Sequence, residues 1–334
     1  MPEHANHHLT NHPIPRLLTR RTILGVTGAA LTGVALGTAA HRIAAAQDAT
    51  PGEAAGDVAG LFDIGGGRRL YLECRGTGGP TVILEAGYRS PLDVWTEDLV
   101  SPEVPRTMVF EGVSAHSRTC VYERPGVASV IDGVFRPSRS DAVPMPRTAT
   151  DAVQDLHALL DVAGVAGPYV LVGHSFGGLI VRLYASTYPD EVAGVVLVDA
   201  LSEYVREELA TDEWASYQRV VSAVPPELAD YSDLETMDMD ASFDQMVAAA
   251  GDRPLAGIPL AVISAGLPFG IPEGDLGFSP DRLQEAWAAS QNQLAALVPD
   301  TPHIVATESA HYVQLEQPDL VIDAVMEVVN AAKP

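Results

Sequence analysis

Apolar and polar positions alternate between two rhythms along most of the chain. Short, nearly continuous apolar runs are separated by stretches in which apolar residues recur every three or four positions. The short runs predict strands at Leu61–Ile64, Arg69–Cys74, Thr81–Leu84, Thr119–Tyr122, Tyr169–Val172, Val195–Val198, Leu260–Ile263 and Ile304–Ala306. Between the fourth and fifth runs, Asp151 to Ala163 places Val153, Leu156, Leu159, Leu160 and Ala163 at helical spacing before Gly164, which predicts an amphipathic helix with a C-terminal glycine. Strands alternating with helices in this way predict an α/β fold, a mostly parallel sheet covered on both faces. No internal repeat interrupts the pattern.

One junction in the pattern carries chemistry. The apolar run Tyr169-Val170-Leu171-Val172 gives way to a helical stretch with Leu179, Leu183 and Tyr184 at helical intervals, stopped by Pro189. Between them lies Gly173-His174-Ser175-Phe176-Gly177, a G-x-S-x-G sequence at a strand-to-helix turn. A turn that tight excludes side chains beside the serine and holds its hydroxyl above the sheet, which makes Ser175 the candidate nucleophile. His174 is read as a local packing or hydrogen-bonding residue.

With this junction the chain resembles the α/β-hydrolase family. The resemblance covers nearly everything after residue 58, through LYLECRG, TVILEAGYRS, YERPG, PYVLVGHSFGGLIVRLYASTYPDEVAGVVLVDA and ESAHYVQLEQPDLVIDAV in the family's order. It implies an eight-stranded, mostly parallel sheet with helices on both faces and catalytic residues on loops at one edge. The family includes esterases, lipases, peptidases, dehalogenases and transferases, so the fold leaves the substrate open.

A serine hydroxyl needs a neighbouring base. After Ser175 the chain offers only His303 and His311; His303 begins the last apolar run, whereas His311 lies in the polar loop where the family carries its base. Acyl transfer also needs donors aimed at the developing oxyanion. The family pattern implies the backbone N–H of Phe176 and, from the loop Glu85-Ala86-Gly87-Tyr88, that of Tyr88. Many relatives have a bracing His-Gly in that loop, and this chain lacks the histidine.

The acid has two candidate places. Most relatives take it from the loop after the seventh strand, where this chain offers only the distant Glu273 and Asp275; some take it from the end of the sixth strand, which here is Asp199. A carboxylate ending a buried strand is costly unless hydrogen-bonded, and an imidazole N–H would justify it, so Asp199 is preferred and Asp275 is the substitute.

Residues 58–200 and 258–334 are therefore expected to form the hydrolase core, with 201–257 a lid inserted between the sixth and seventh strands. The insertion combines Trp214, Tyr217, Tyr231, Met237, Met239, Phe243 and Met246 with 13 acidic and three basic residues. Surface decoration with its own small core is the alternative to a lid.

The N-terminus stands apart. Arg20-Arg21 precede an uncharged Gly/Ala/Thr-rich run, Thr22 to Ala40, followed by Ala44-Ala45-Ala46. Residues 1–46 thus resemble a twin-arginine export signal with a small-residue cleavage site, an uncleaved anchor being the alternative, and 47–57 read as a linker. Cleavage would leave no membrane span and an exported chain, periplasmic or extracellular.

The chain has 20 basic and 44 acidic residues for a net charge of −24; without residues 1–46 it would carry 16 and 43, a net of −27. Such a surface repels polyanions and argues against nucleic-acid partners. It also predicts that neutral, medium-sized, apolar esters are preferred over anionic ones. Cys74 and Cys120 fall on strands that neighbour each other in the family's sheet, so a disulfide competes with two buried thiols; no Cys/His metal spacing is present. The expectation is an exported serine hydrolase acting on the acyl bond of a small molecule without cofactor or metal. An acyltransferase or a catalytically silent binding protein on the same fold are the alternatives.

Overall fold

The computed structural model describes residues 56–100, 103–131, 133–251, 255 and 257–333; the expected export signal and nearly all of the linker lie outside them. The strands are β1 (Val58–Asp63), β2 (Arg69–Arg75), β3 (Thr81–Glu85), β4 (Thr119–Tyr122), β5 (Ala128–Ile131), β6 (Val134–Pro137), β7 (Tyr169–His174), β8 (Val192–Val198), β9 (Leu260–Ala265) and β10 (His303–Ala306). Eight of them form one sheet in the order β1-β2-β4-β3-β7-β8-β9-β10. The β1/β2 and β2/β4 pairs are antiparallel, and every other pair is parallel. All eight expected strands are present, and the fold is the expected α/β-hydrolase fold.

The burial patterns explain why these segments became strands where they did. β3 and β7 are buried at every position, as parallel strands covered on both faces must be, whereas β1 alternates half-buried and exposed residues at the sheet edge. Along β7 the period of two sends Tyr169 and Leu171 to one core and Val170 and Val172 to the other.

The first core lies under α3 (Ala149–Val162) and α4 (Phe176–Thr187). The second lies under α1 (Asp93–Thr96), α2 (Val109–Ser114) and the last helix, and includes Val109, Val113, Val321 and Val325. α3 starts two residues before the expected Asp151. Thr148 caps it, with Asp151 reaching back to the Thr148 N–H at 2.8 Å in a capping box.

The inserted segment contributes α5 (Glu203–Glu208), α6 (Thr211–Ser222) and α7 (Met239–Ala250). Trp214, Tyr217, Met239, Phe243 and Met246 join the same cluster as α3 and α4, while Leu228, Leu234 and Tyr231 pack with Ala128 in a small separate cluster. Ser242 and Gln245 of α7 accept hydrogen bonds from the N–H groups of Ala149 and Thr150 at 2.9 and 3.0 Å, satisfying donors that α3 leaves open at its start. The chain continues through α8 (Glu273–Leu276), α9 (Pro280–Ala295), α10 (Val313–Glu316) and α11 (Pro318–Ala331).

Cys74 and Cys120 face each other across β2 and β4 and form a fully buried disulfide. Among the described residues no helix is long and apolar enough to cross a membrane, and no group of three or more His, Cys, Asp or Glu is placed to hold a metal ion.

Candidate active site

β7 ends at His174 and α4 begins at Phe176, leaving Ser175 alone in the turn at φ 52° and ψ −124°. Left-handed φ strains a residue with a Cβ, and such strain persists only where the surroundings impose it. Here they do. The Ser175 N–H donates to Val198 O at 3.1 Å, and Ser175 O accepts from Gly178 N at 2.9 Å and Leu201 N at 2.9 Å. The flanking glycines have no room for a side chain: a Cβ on Gly173 would lie 2.5 Å from Gly177 O, and one on Gly177 would lie 2.5 Å from Ala86 O.

His311 sits in the loop between β10 and α10, beside the same cavity as Ser175. Its Nδ1 lies 2.6 Å from Asp199 Oδ2. Asp199 closes β8 with φ 41° and is fully buried. Its other oxygen, Oδ1, accepts from Ala265 N and Trp287 Nε1, both at 3.0 Å. An ionised carboxylate only accepts, so Nδ1 carries the imidazole proton and Nε2 is left with its lone pair. Phe269 and Trp287 pack against the ring at centroid distances of 5.0 and 5.6 Å.

The alternatives to these two residues lie elsewhere. His303 is on β10 with its Nε2 2.6 Å from Ser264 Oγ, and it does not line the cavity. Asp275 is an exposed residue of α8 whose backbone carbonyl receives Arg219.

His174 does more than local packing. Its Nε2 lies 2.9 Å from the backbone oxygen of His311, 137 positions away in sequence. Burial, with His311 beside it, holds this imidazole well below the usual histidine range. The ring is therefore neutral, donates from Nε2 and tethers the His311 loop to the turn that carries Ser175.

The loop after β3 passes close to the serine, since a Cβ on Gly87 would lie 3.1 Å from Ser175 Cβ. Phe176 opens α4, so its N–H has no acceptor within the helix. The Tyr88 N–H forms no backbone hydrogen bond among the described residues. Arg124, just after β4, braces this loop. Its Nη1 donates to Ala86 O at 2.8 Å and its Nη2 to Gly87 O at 2.7 Å. Nη1 also pairs with Glu85, and Nε and Nη2 fork onto Glu235 at 2.6 and 3.0 Å.

Both acids and the arginine are buried. Burial pushes the Glu85 carboxyl up against the pull of Arg124 and of the Tyr122 hydroxyl. Burial would lower the Arg124 guanidinium, but Glu235 and Glu85 outweigh it and keep the cation fully charged. Sequence reading missed this network. The Glu123-Arg124-Pro125-Gly126 stretch was visible, but its partner Glu235 lies 111 positions away.

Tyr88, Phe176, Leu201, Tyr217, Val221 and Met239 supply the apolar walls of the cavity. It encloses about 30 Å³, room for about two waters. Of these walls, Tyr217, Val221 and Met239 belong to the inserted segment.

A family model described as the alpha/beta hydrolase fold matches residues 93–233. That match and the strand order give the chain the α/β-hydrolase fold. It is 31% identical over 161 residues to a protein of Hormonema carpetanum named "Probable transporter efuK", covering 46% of this chain and 20% of that one. It is 36% identical over 97 residues to the lipase LipV of Mycobacterium tuberculosis, covering 28% of this chain and 36% of that one. The chain thus spans well under half the length of these two relatives. Among solved structures it resembles Est816, titled an N-acyl homoserine lactone degrading enzyme, with a TM-score of 0.53 and 16% identity over 80% of this chain and 99% of that one. At that identity the likeness is one of fold.

Proposed function

We propose that the protein is an exported serine hydrolase that cleaves the ester or related acyl bond of a small, largely apolar molecule through a Ser175–His311–Asp199 triad. The observation that carries this reading is the Asp199–His311 hydrogen bond beside a cavity that also holds the strained Ser175. Ser175 Oγ attacks the acyl carbon while His311 Nε2 takes its proton, and Asp199 stabilises the imidazolium. The Phe176 and Tyr88 N–H groups receive the negative charge on the carbonyl oxygen. His311 then returns the proton to the departing alkoxide, leaving an acyl-enzyme. A water, deprotonated by His311, hydrolyses that ester and regenerates Ser175.

The apolar walls support a neutral acyl group, and the likeness to the lipase LipV supports an ester-like bond. The inserted segment acts as a lid whose movement admits the substrate. Export is supported by the Arg20-Arg21 signal pattern and by the buried disulfide, which forms stably in an oxidising compartment.

Ser175→Ala tests the mechanism. The variant is expected to keep the wild-type melting temperature, lose fluorophosphonate labelling and fall at least about a thousandfold in kcat on chromogenic esters. Retained labelling and turnover would remove the serine from the mechanism.

A further inference from the structure

We infer that Glu235, carried by the inserted segment, and Arg124 form a positioning pair that aims the Tyr88 N–H at the reaction centre. The inference rests on the proposed role of Tyr88 as an oxyanion donor. The Gly87–Tyr88 peptide is one rigid plane, with the Gly87 carbonyl and the Tyr88 N–H on opposite sides of it. Arg124 Nη2 holds that carbonyl at 2.7 Å, so the N–H on the other side is fixed in direction. A charged donor on the carbonyl also polarises the peptide and strengthens its N–H.

Arg124 is in turn oriented by Glu235, which accepts from both Nε and Nη2. The same Glu235 fixes the next peptide by accepting the Arg89 N–H at 2.6 Å, holding Arg89 at φ 58°. The Arg89 side chain adds three more ties to the insertion, to the carbonyls of Glu235 at 2.9 Å, Ala223 at 2.9 Å and Ser222 at 3.1 Å. Two consecutive peptides of the loop are therefore set by groups that Glu235 holds. In this chain the oxyanion loop reaches its working geometry only with residues 222–236 seated against it.

Glu235→Gln separates positioning from stability. The amide keeps an acceptor for the Arg89 N–H but cannot fork onto Arg124 with two oxygens. Active sites are counted by fluorophosphonate titration, so loss of folded protein does not enter kcat. Complete removal of one oxyanion donor costs about 10²–10³ in kcat. A misaimed donor is therefore expected to lower kcat roughly tenfold to a hundredfold, with KM within about threefold. Affinity for a trifluoromethyl ketone, which forms an oxyanion on the serine, falls by the same factor, whereas affinity for the alcohol product is unchanged.

Arg124→Lys is the second variant. It keeps the charge but cannot hold Gly87 O and both Glu235 oxygens together, and the same transition-state loss is expected. Normal titrated kcat and ketone affinity in either folded variant overturns the pairing. Failure of both to fold assigns the pair to stability alone and overturns it as well. A wild type that takes up no fluorophosphonate overturns the serine-hydrolase reading and this inference with it, whereas a titrating wild type with unaffected variants overturns the inference alone.

Discussion

Asp199→Asn is the substitution whose effect the hydrogen bonds determine most closely. The change is isosteric, and the amide has one acceptor and one donor end. Oδ1 accepts from Ala265 N and Trp287 Nε1, so an NH2 group at that position would face two N–H donors and forfeit two hydrogen bonds. The amide oxygen therefore stays there, and the NH2 takes the place of Oδ2, facing His311 Nδ1. Nδ1 must then accept, the proton moves to Nε2, and the imidazole presents a donor where the proposed mechanism needs an acceptor. A triad in the wrong tautomer loses roughly three to four orders of magnitude in kcat, about 4–5.5 kcal/mol of transition-state stabilisation. Folding changes little, because the two Oδ1 hydrogen bonds survive. Steady-state hydrolysis of a chromogenic ester measures the loss, and imidazole nitrogen shifts in NMR report which nitrogen is protonated. Asp275→Asn, on exposed α8, is expected to stay within about threefold of wild type. A severe loss in the Asp275 variant beside a mild one in the Asp199 variant would refute the assignment.

Two further outcomes follow from buried groups away from the reaction centre. The Cys74–Cys120 bridge closes 46 positions of chain, for which loop-closure entropy gives about 4 kcal/mol. Cys74→Ala/Cys120→Ala should lose about that much in denaturant unfolding, and a loss below about 1 kcal/mol would remove the bridge as a staple. Burial pushes the Glu203 carboxyl up, but the two hydrogen bonds from Arg182, at 2.8 Å each, and its charge outweigh it and leave the group below its ordinary value. Its folded form therefore binds a proton less readily than its unfolded form. The stability it contributes is fully present above the unfolded value of about 4.3 and is lost as pH falls through the folded one. Melting temperatures measured from pH 6 to 3 should drop less steeply in Glu203→Gln than in wild type, and identical slopes would refute the coupling.

What the chain disclosed depended on how local each signal was. Strands such as β3, β7 and β8 are buried on both faces and read as apolar runs, so all eight strands of the main sheet were legible. Asp199 was legible as a candidate because a carboxylate ending such a run requires a partner, and His311 because few histidines follow the serine. The β5/β6 hairpin was not legible. β6 is exposed throughout, and Phe135 packs edge-on against Tyr231 of the insertion, a contact no local pattern announces. Nor were the His174–His311 tether and the Arg124–Glu235 pair legible, since each joins residues more than 100 positions apart.

The inserted segment is bound into the catalytic framework by two buried arginine–glutamate pairs, Arg182–Glu203 at its entrance and Arg124–Glu235 towards its far end. This arrangement bears on how freely residues 201–257 can be exchanged as a cassette among relatives with the same sheet. A donor segment lacking an acid at position 203 would strand the Arg182 guanidinium in the dry interior, and one lacking an acid at 235 would leave Arg124 with Glu85 as its remaining carboxylate partner. Breaking the first pair in that way costs about 3–5 kcal/mol, a large share of the whole stability of a typical domain. Such a graft would need a compensating change at position 182, so the proposed substrate cavity is better reshaped from within, at residues such as Tyr217, Val221 and Met239.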